Sequence, residues 1–373
     1  MKQIQVFLVA GLFIFLAGCS TLPGTKPSDH VIVGYVFPGE RVISPDEVDA
    51  TKLTHINFAF SRIEDGRLVA GYDTDSANYA VLNGLKEENP SLKIMVSVGG
   101  WGWSHGFSDM ALTRENRSRF IKSAVRFMKK HNIDGLDLDW EYPGLPGAGN
   151  VHRAEDKENF TLLLKECREA LDTIQGEKDY LLTIAAAASP SYVENTEMGK
   201  VAPYLDLINL MTYDFIGEWA DSTGHHANLY ASSYYEGGNS VAQTVRMFEE
   251  EGVPSDKLVM GVPFYGRGWK NVPPTHNGVG QPGKGLEGTR LWYADIVTEF
   301  ISDPLYTSFW DEAAKAPYLY NARDSVFITY ENPRSLSLKT RFVEENDLKG
   351  IMYWQHFTDY EGELLNTVYK GLY

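Results

Sequence analysis

Asp134-Gly135-Leu136-Asp137-Leu138-Asp139-Trp140-Glu141 interleaves acidic and apolar side chains with a period of two. Alternate residues of a strand share a face, so Asp137, Asp139 and Glu141 line one side while Leu136, Leu138 and Trp140 line the other. An exposed acidic turn would not place Leu, Leu and Trp so regularly, and a metal site would want His or further carboxylates at strand ends. In a closed barrel the two sides are the interior and the helix layer. The apolar set suits the helix layer, which puts the three carboxylates inside, rising toward the catalytic end. Neighbours two apart along a strand stand ~6.5–7 Å apart. Three carboxylates stacked in a poorly solvated interior cannot all ionise cheaply, so at least one is expected to hold a proton near neutral pH. A proton-sharing column capped by Glu141 is the arrangement that a general acid needs.

Outward from this stretch, eight short β-branched or apolar runs alternate with longer amphipathic segments. The runs cover residues 31–36, 54–60, 92–98, 133–139, 181–187, 205–211, 258–264 and 350–354. Between them lie helical patterns over 119–130, 155–174, 240–251 and 335–345; in the first, Phe120, Ala124, Phe127 and Met128 recur at helical spacing. Eight strands alternating with helices predict an α/β fold, a (β/α)8 TIM barrel, and the near-continuous hydrophobicity of the runs suits parallel strands covered on both faces. The connection over 268–326 is too long for a simple loop. Its Pro273-Pro274 turn, its glycines and the rings of Trp292, Phe309, Trp310, Tyr318 and Tyr320 predict a small α+β insertion after strand seven. Loops that follow strand C-termini form the active-site face of such barrels, so an insertion there can wall a groove.

The 373 residues are 43% hydrophobic and 23% charged, which excludes wholesale disorder and fibrous repeats. With 34 Lys and Arg against 50 Asp and Glu, the formal net charge is −16, and no run of basic residues supplies a basic face. Nucleic acid is therefore excluded as a partner, and whole-chain electrostatics oppose an anionic membrane surface. Aromatic residues make up 13% of the chain, with 21 Tyr and 8 Trp. Such rings suit flat apolar ligands such as sugar faces, although a large barrel core uses rings equally well.

Two cysteines are too few for a disulfide scaffold. Cys167 lies on or beside the apolar stripe of a helical pattern and reads as a small buried hydrophobe. Cys19 ends Leu16-Ala17-Gly18-Cys19, after Lys2 and an apolar run from Val6 to Leu16 that has the length of a signal peptide core. These four residues resemble a bacterial lipobox; an ordinary secretory signal cleaved nearby is the alternative. The resemblance implies a lipoprotein signal peptide over 1–18, lipidation of Cys19, a flexible tether over 19–29 and a catalytic barrel over 30–373. The expected location is the cell envelope with a membrane attachment through Cys19, and Ser20 favours the outer over the inner membrane.

Asp134-x-x-Asp137-x-Asp139-x-Glu141 matches the signature of family 18 glycoside hydrolases, the chitinases, at every defined position. Ser97-Val-Gly99-Gly100 with Trp101 resembles the family's strand-three motif, and Met211-Thr-Tyr213-Asp214 its strand-six motif. Trp354 on the eighth run is similar to the ring that floors the sugar site, and Phe264-Tyr-Gly-Arg267 before an insertion resembles the groove-forming subgroup. The resemblance implies a retaining, substrate-assisted mechanism on β-1,4-linked N-acetylglucosamine, with Glu141 as general acid/base. It further implies that Asp139, trading a hydrogen bond between Asp137 and Glu141, orients the substrate's acetamido group, which Tyr213 and Asp214 hold. Catalytic candidates are thus Glu141, Asp139, Asp137 and Tyr213. Substrate-binding candidates are Tyr35, Phe60, Gly100, Trp101, Tyr142, Met211, Asp214, Trp219, Arg267 and Trp354; each ring among them can also be packing. Trp140 faces the helix layer as core, and Trp103, Trp269 and Trp292 are undecided between groove and core. No cofactor or metal is expected, the partner is chitin or a chito-oligosaccharide, and a monomer is expected. Alternative readings are an endo-β-N-acetylglucosaminidase acting on glycoprotein glycans or peptidoglycan, and a sugar-binding lectin, which the presence of Glu141 disfavours.

Overall fold

The computed structural model describes residues 29–174 and 179–373, so Cys19 and the segments before residue 29 lie outside the described residues. Fourteen strands follow in order: β1 (Val31–Val36), β2 (His55–Glu64), β3 (Arg67–Val69), β4 (Lys93–Gly99), β5 (Gly135–Asp139), β6 (Leu181–Ala187), β7 (Leu207–Met211), β8 (Leu258–Pro263), β9 (Arg267–Lys270), β10 (Lys284–Gly285), β11 (Thr307–Asp311), β12 (Ala316–Asn321), β13 (Val326–Thr329) and β14 (Gly350–Trp354). Eight of them pair in parallel in the order β1-β14-β8-β7-β6-β5-β4-β2, and β1 also pairs with β2, so the sheet closes. This is the expected (β/α)8 barrel. Each of the eight apolar runs supplies one barrel strand, and β3 is a short antiparallel partner on the far end of β2.

Alternation does the sorting that the acidic stretch implied. Ile32, Ile56, Ile94, Leu136, Leu138, Ile184 and Ile208 point into one large cluster with the helices, while Val31, Val33, Tyr35, Leu207, Val259 and Met352 form a separate cluster inside the barrel. Between those apolar rungs the interior is polar, with Asn57, Ser97, Asp137, Thr183 and Asn209 all buried. Such a belt is stable only if its members satisfy one another, and Asp137 is the acceptor on which most of them converge.

The helices begin where their caps allow. Ser240 accepts from the amide of Gln243 to open Val241–Glu250, and Asn332 accepts from that of Ser335 to open Pro333–Glu345. The helix Arg114–His131 starts five residues before the periodic pattern, because Thr113 caps it through the amide of Asn116; it ends on Asn132 in the left-handed region. The helix Asp156–Asp172 buries Cys167, whose thiol pKa is pushed up by that burial.

After β8 the chain leaves the barrel and builds a second, five-stranded antiparallel sheet in the order β10-β9-β13-β12-β11. Its core is Trp269, Val272, Val279, Tyr318, Tyr320 and Phe327. A helical segment spanning 293–301 accompanies the strands, so the insertion is α+β and leaves from the C-terminal end of the seventh barrel strand.

Candidate active site

β5 delivers the acidic column. Asp137 is wholly buried and accepts four hydrogen bonds: Tyr35 Oη at 2.9 Å, Ser97 Oγ at 2.7 Å, Thr183 Oγ1 at 2.6 Å and Asn209 Nδ2 at 3.4 Å. Burial pushes its carboxyl up and the donors oppose that, with burial prevailing. One rung higher, Asp139 Oδ1 is buried without a hydrogen-bond partner. Burial, then the charges of Glu141 and Asp137, hold the Asp139 carboxyl well above the usual carboxylate range. The resemblance implied a hydrogen bond from Asp139 to one of its neighbours; in this structure the orphaned oxygen takes none. A partnerless buried acceptor is costly unless a ligand satisfies it.

Glu141, 8% exposed, stands at the mouth. Its carboxyl is pushed up to about 7, by burial first and by the charge of Asp214 as well, against a hydrogen bond to Tyr142. The loops around it are tied to one another. The Glu141 amide donates to Ser104 Oγ at 2.9 Å, and that oxygen lies 2.9 Å from the Gly100 carbonyl and 3.2 Å from that of Asp139. The Gly100 amide donates to the Asp139 carbonyl at 2.8 Å. Gly99 and Gly100 both have positive φ, at 107° and 76°, and a Cβ on Gly100 would come within 2.6 Å of the Phe60 ring. Only glycine lets the chain turn here with Phe60 so close.

Aromatic rings surround the column. Trp354, half-buried, lies 5.4 Å from Phe60 with planes 19° apart, 5.8 Å from Tyr35 and 5.9 Å from Phe37. Trp101 and Trp219 are 57% and 67% exposed, which no packing role explains; Trp101 leans toward Tyr142 at 6.4 Å. Met211 ends β7, and Tyr213, two residues on, places its hydroxyl 3.9 Å from Met352 Sδ. Asp214 follows with φ 55° and is gripped by Arg267, Nε to Oδ1 at 2.9 Å and Nη2 to Oδ2 at 2.8 Å. Arg267 also reaches Glu218 Oε2 at 3.2 Å and lies over the Trp219 and Tyr265 rings. Buried His226 stands 3.7 Å from Asp214 Oδ1.

The structure thus gathers Tyr35, Phe60, Gly100, Asp137, Asp139, Glu141, Tyr142, Met211, Tyr213 and Trp354 around the β5 column, with Asp214, Arg267 and Trp219 linked to it through the charge of Asp214 on Glu141. Three rings divide differently. Trp269 is fully buried, with its indole N–H donating to the Ala220 carbonyl at 3.1 Å, and is core of the insertion. Trp103 packs with Tyr72 and Arg62, and Trp292 with Tyr360 and Arg290. His225 hydrogen-bonds Asp311 at 3.0 Å, and among the described residues no group of three His, Cys, Asp or Glu side chains is arranged to hold a metal ion.

Residues 31–359 match the model of glycosyl hydrolases family 18. The chain belongs to that family. This family 18 hydrolase is 39% identical over 410 residues to chitinase A1 of Niallia circulans; the match covers 92% of this chain but only 58% of that protein. Among solved structures it is similar to chitinase ChiW of Paenibacillus sp. str. FPU-7, with a TM-score of 0.87, 40% identity and coverage of 92% of this chain and 32% of that one. It is also similar to a family 18 N-acetylglucosaminidase of Paenibacillus barengoltzii, with a TM-score of 0.83, 40% identity and coverage of 92% and 99%.

Several site residues escaped sequence reasoning. Phe37 lies two beyond Tyr35, so the alternation of β1 carried past its end points to it. Tyr265 sits at the strand-seven exit and contacts Tyr213, His226 and Arg267. Ser104, Glu218 and His226 carried no local signal.

Proposed function

We propose that this family 18 hydrolase is a chitinase that cleaves β-1,4-linked N-acetylglucosamine polymers or oligomers with retention of configuration. The observation that carries the reading is the Glu141 carboxyl, buried at the barrel mouth with its pKa pushed up to about 7, two residues from Asp139, on whose unpartnered carboxyl its charge acts. A carboxylic acid that keeps its proton near neutral pH can protonate a glycosidic oxygen. An unsatisfied carboxylate oxygen beside it is an acceptor waiting for an N–H, which the 2-acetamido group of the substrate supplies. The acetamido oxygen attacks the anomeric carbon as the glycosidic C–O bond breaks and Glu141 gives its proton to the leaving oxygen. Water then opens the resulting oxazolinium ring, with the Glu141 carboxylate taking the water proton. Tyr213 and Asp214 restrain the acetamido group, making the attack effectively intramolecular. Trp354 floors the reacting sugar, and Trp101 and Trp219 stack on neighbouring ones. The chitinase relatives support this reading.

The test is hydrolysis of chitotetraose and chitopentaose by the chain and by its Glu141→Gln variant. Release of disaccharide, with the variant slowed ~10²–10⁴-fold while it still binds the oligomers, upholds the reading. Intact oligomers with the wild-type chain overturn it. A second reading, release of single N-acetylglucosamine units, is favoured by the Paenibacillus barengoltzii enzyme, of which the chain covers nearly the whole length; the same product analysis separates the two.

The envelope location is a proposal of its own: cleavage before Cys19, lipidation of its sulfur and a monomeric barrel held at a membrane. Incorporation of labelled palmitate into the wild-type chain but not into Cys19→Ser tests it.

A further inference from the structure

Four exposed cations, Lys122, Arg126, Lys129 and Lys130, form one stripe on the helix Arg114–His131 at spacings of four, seven and eight residues. That helix carries seven Lys and Arg and a single carboxylate in a chain of net charge −16. Among the described residues none of the four cations is in an ion pair. Three carboxylates in the C-terminal half of the neighbouring helix Asp156–Asp172 are engaged elsewhere: Glu166 with Arg117 at 2.7 Å, Asp172 with Arg168 at 2.6 Å and Glu169 with Lys165 at 3.9 Å. Net charge conceals this stripe. The Debye length is about 8 Å at physiological salt, so carboxylates on distant faces are screened and local charge decides what binds here.

Behind the cations is apolar surface. Ile121, Val125, Ala170 and Ile174 line a groove of about 660 Å³, which Lys122, Arg126 and Lys129 also line. Apolar floor and cationic rim together match an anionic amphiphile better than a bare polyanion. Direction follows from the barrel. Its parallel strands put every strand start and every preceding helix end on one face, with His55 opposite Lys93 and Met95 opposite Gly135 in register. Lys129 and Lys130 end their helix on that face, and the chain enters β1 there. The column of Asp137, Asp139 and Glu141 opens on the other.

We propose that this stripe is a docking surface for the phosphate-bearing headgroups of a membrane, seating the barrel on the bilayer with its catalytic mouth turned away. The proposal rests on the lipid-anchor reading for the proximity of a bilayer. The ten residues from Ser20 to Asp29 reach at most ~35 Å when fully extended, which keeps the entry face within reach of the surface. The acyl chains implied at Cys19 hold the protein to the bilayer, and the basic stripe adds electrostatic attraction that orients the barrel on it.

The experiment uses the chain from Ser20, which contains every described residue and carries no lipid. It is sedimented with phosphatidylglycerol-containing and with pure phosphatidylcholine vesicles at about 50 mM and about 500 mM salt. Expected is binding to the anionic vesicles at low salt, weakened about tenfold or more by the combined Lys122→Gln, Arg126→Gln, Lys129→Gln and Lys130→Gln substitutions. Unchanged chito-oligosaccharide hydrolysis by that variant shows that it is folded. Equal binding by variant and wild type overturns the proposal, as does binding of soluble polyphosphate without binding of anionic vesicles. Absence of palmitate at Cys19 in the full chain, with vesicle binding intact, removes the anchor and leaves the docking surface standing.

Discussion

Arg267 holds Asp214 through two parallel hydrogen bonds, at 2.9 and 2.8 Å, across 53 residues of sequence. Burial by itself would raise the Asp214 carboxyl, but the nearby His226 ring, the hydrogen bonds from Arg267 and the charge of Arg267 outweigh it and hold the pKa well below the usual range. Asp214 therefore stays ionised while Glu141, under its field, keeps a proton. Two carboxyl groups on one groove are driven in opposite directions by their surroundings, as the proposed holding role of Asp214 and acid role of Glu141 require.

The pH profile follows. In the proposed mechanism Glu141 starts the reaction protonated, so kcat/KM is expected to fall as pH rises through about 7, the value at which its carboxyl loses the proton. Asp214→Asn removes a negative charge that raises this pKa, and frees the positive charge of Arg267. Both changes favour ionised Glu141 and move the alkaline limb to lower pH. A profile of the variant that superimposes on the wild-type limb would show that the Asp214 charge does not reach Glu141.

Trp101→Ala and Trp219→Ala are expected to act on binding and not on the fold. Both rings are more than half exposed, so stability changes should stay within about 0.5 kcal/mol. Loss of a stacking face should raise KM for chitopentaose about tenfold. Thermal denaturation beside steady-state kinetics checks both halves of the expectation.

Tyr35 reports on the base of the column. Tyr35→Phe deletes one of the four donors to Asp137, leaving Ser97, Thr183 and Asn209 in place. The loss of one hydrogen bond to a charged acceptor is worth about 1.5–3 kcal/mol. Part of it should appear as lowered kcat, because a less stabilised Asp137 charge presses harder on Asp139. Unfolding in urea, set against kcat, apportions the two effects.

Lys339 and Glu331 form an ion pair of which neither member is more than 2% exposed, and Lys339 also donates to the Ala227 carbonyl at 2.6 Å. Burial lowers the Lys339 pKa, and Glu331 opposes that. Lys339→Met leaves a buried carboxylate unpaired and should cost about 3–5 kcal/mol, whereas Lys339→Met with Glu331→Leu should recover most of it. A double variant as unstable as the single one would show that packing, not charge, is at stake.

Much of the fold was legible because its information is local. The period of two at Asp137, Asp139 and Glu141 and the eight apolar runs state which faces are buried, and a parallel barrel is the architecture that buries both faces of every strand. Boundaries shifted by a few residues where caps decided them, as Thr113 did for the helix that carries Lys122 to Lys130. Whole-chain charge does not show the cation stripe on that same helix, since a sum over all residues discards position.

Strand type, strand number, the carboxylates that face inward and the place of the insertion are set by the periodicity and spacing of the chain, because backbone geometry converts spacing into faces. Three relationships arise only once the barrel closes: the grip of Arg267 on Asp214, the four donors that converge on Asp137, and the orphaned Asp139 oxygen. The first two join side chains from different strands or loops, and the third arises because none of those side chains reaches Asp139; such distances are decided by how the strands register and how the insertion sheet packs against the mouth.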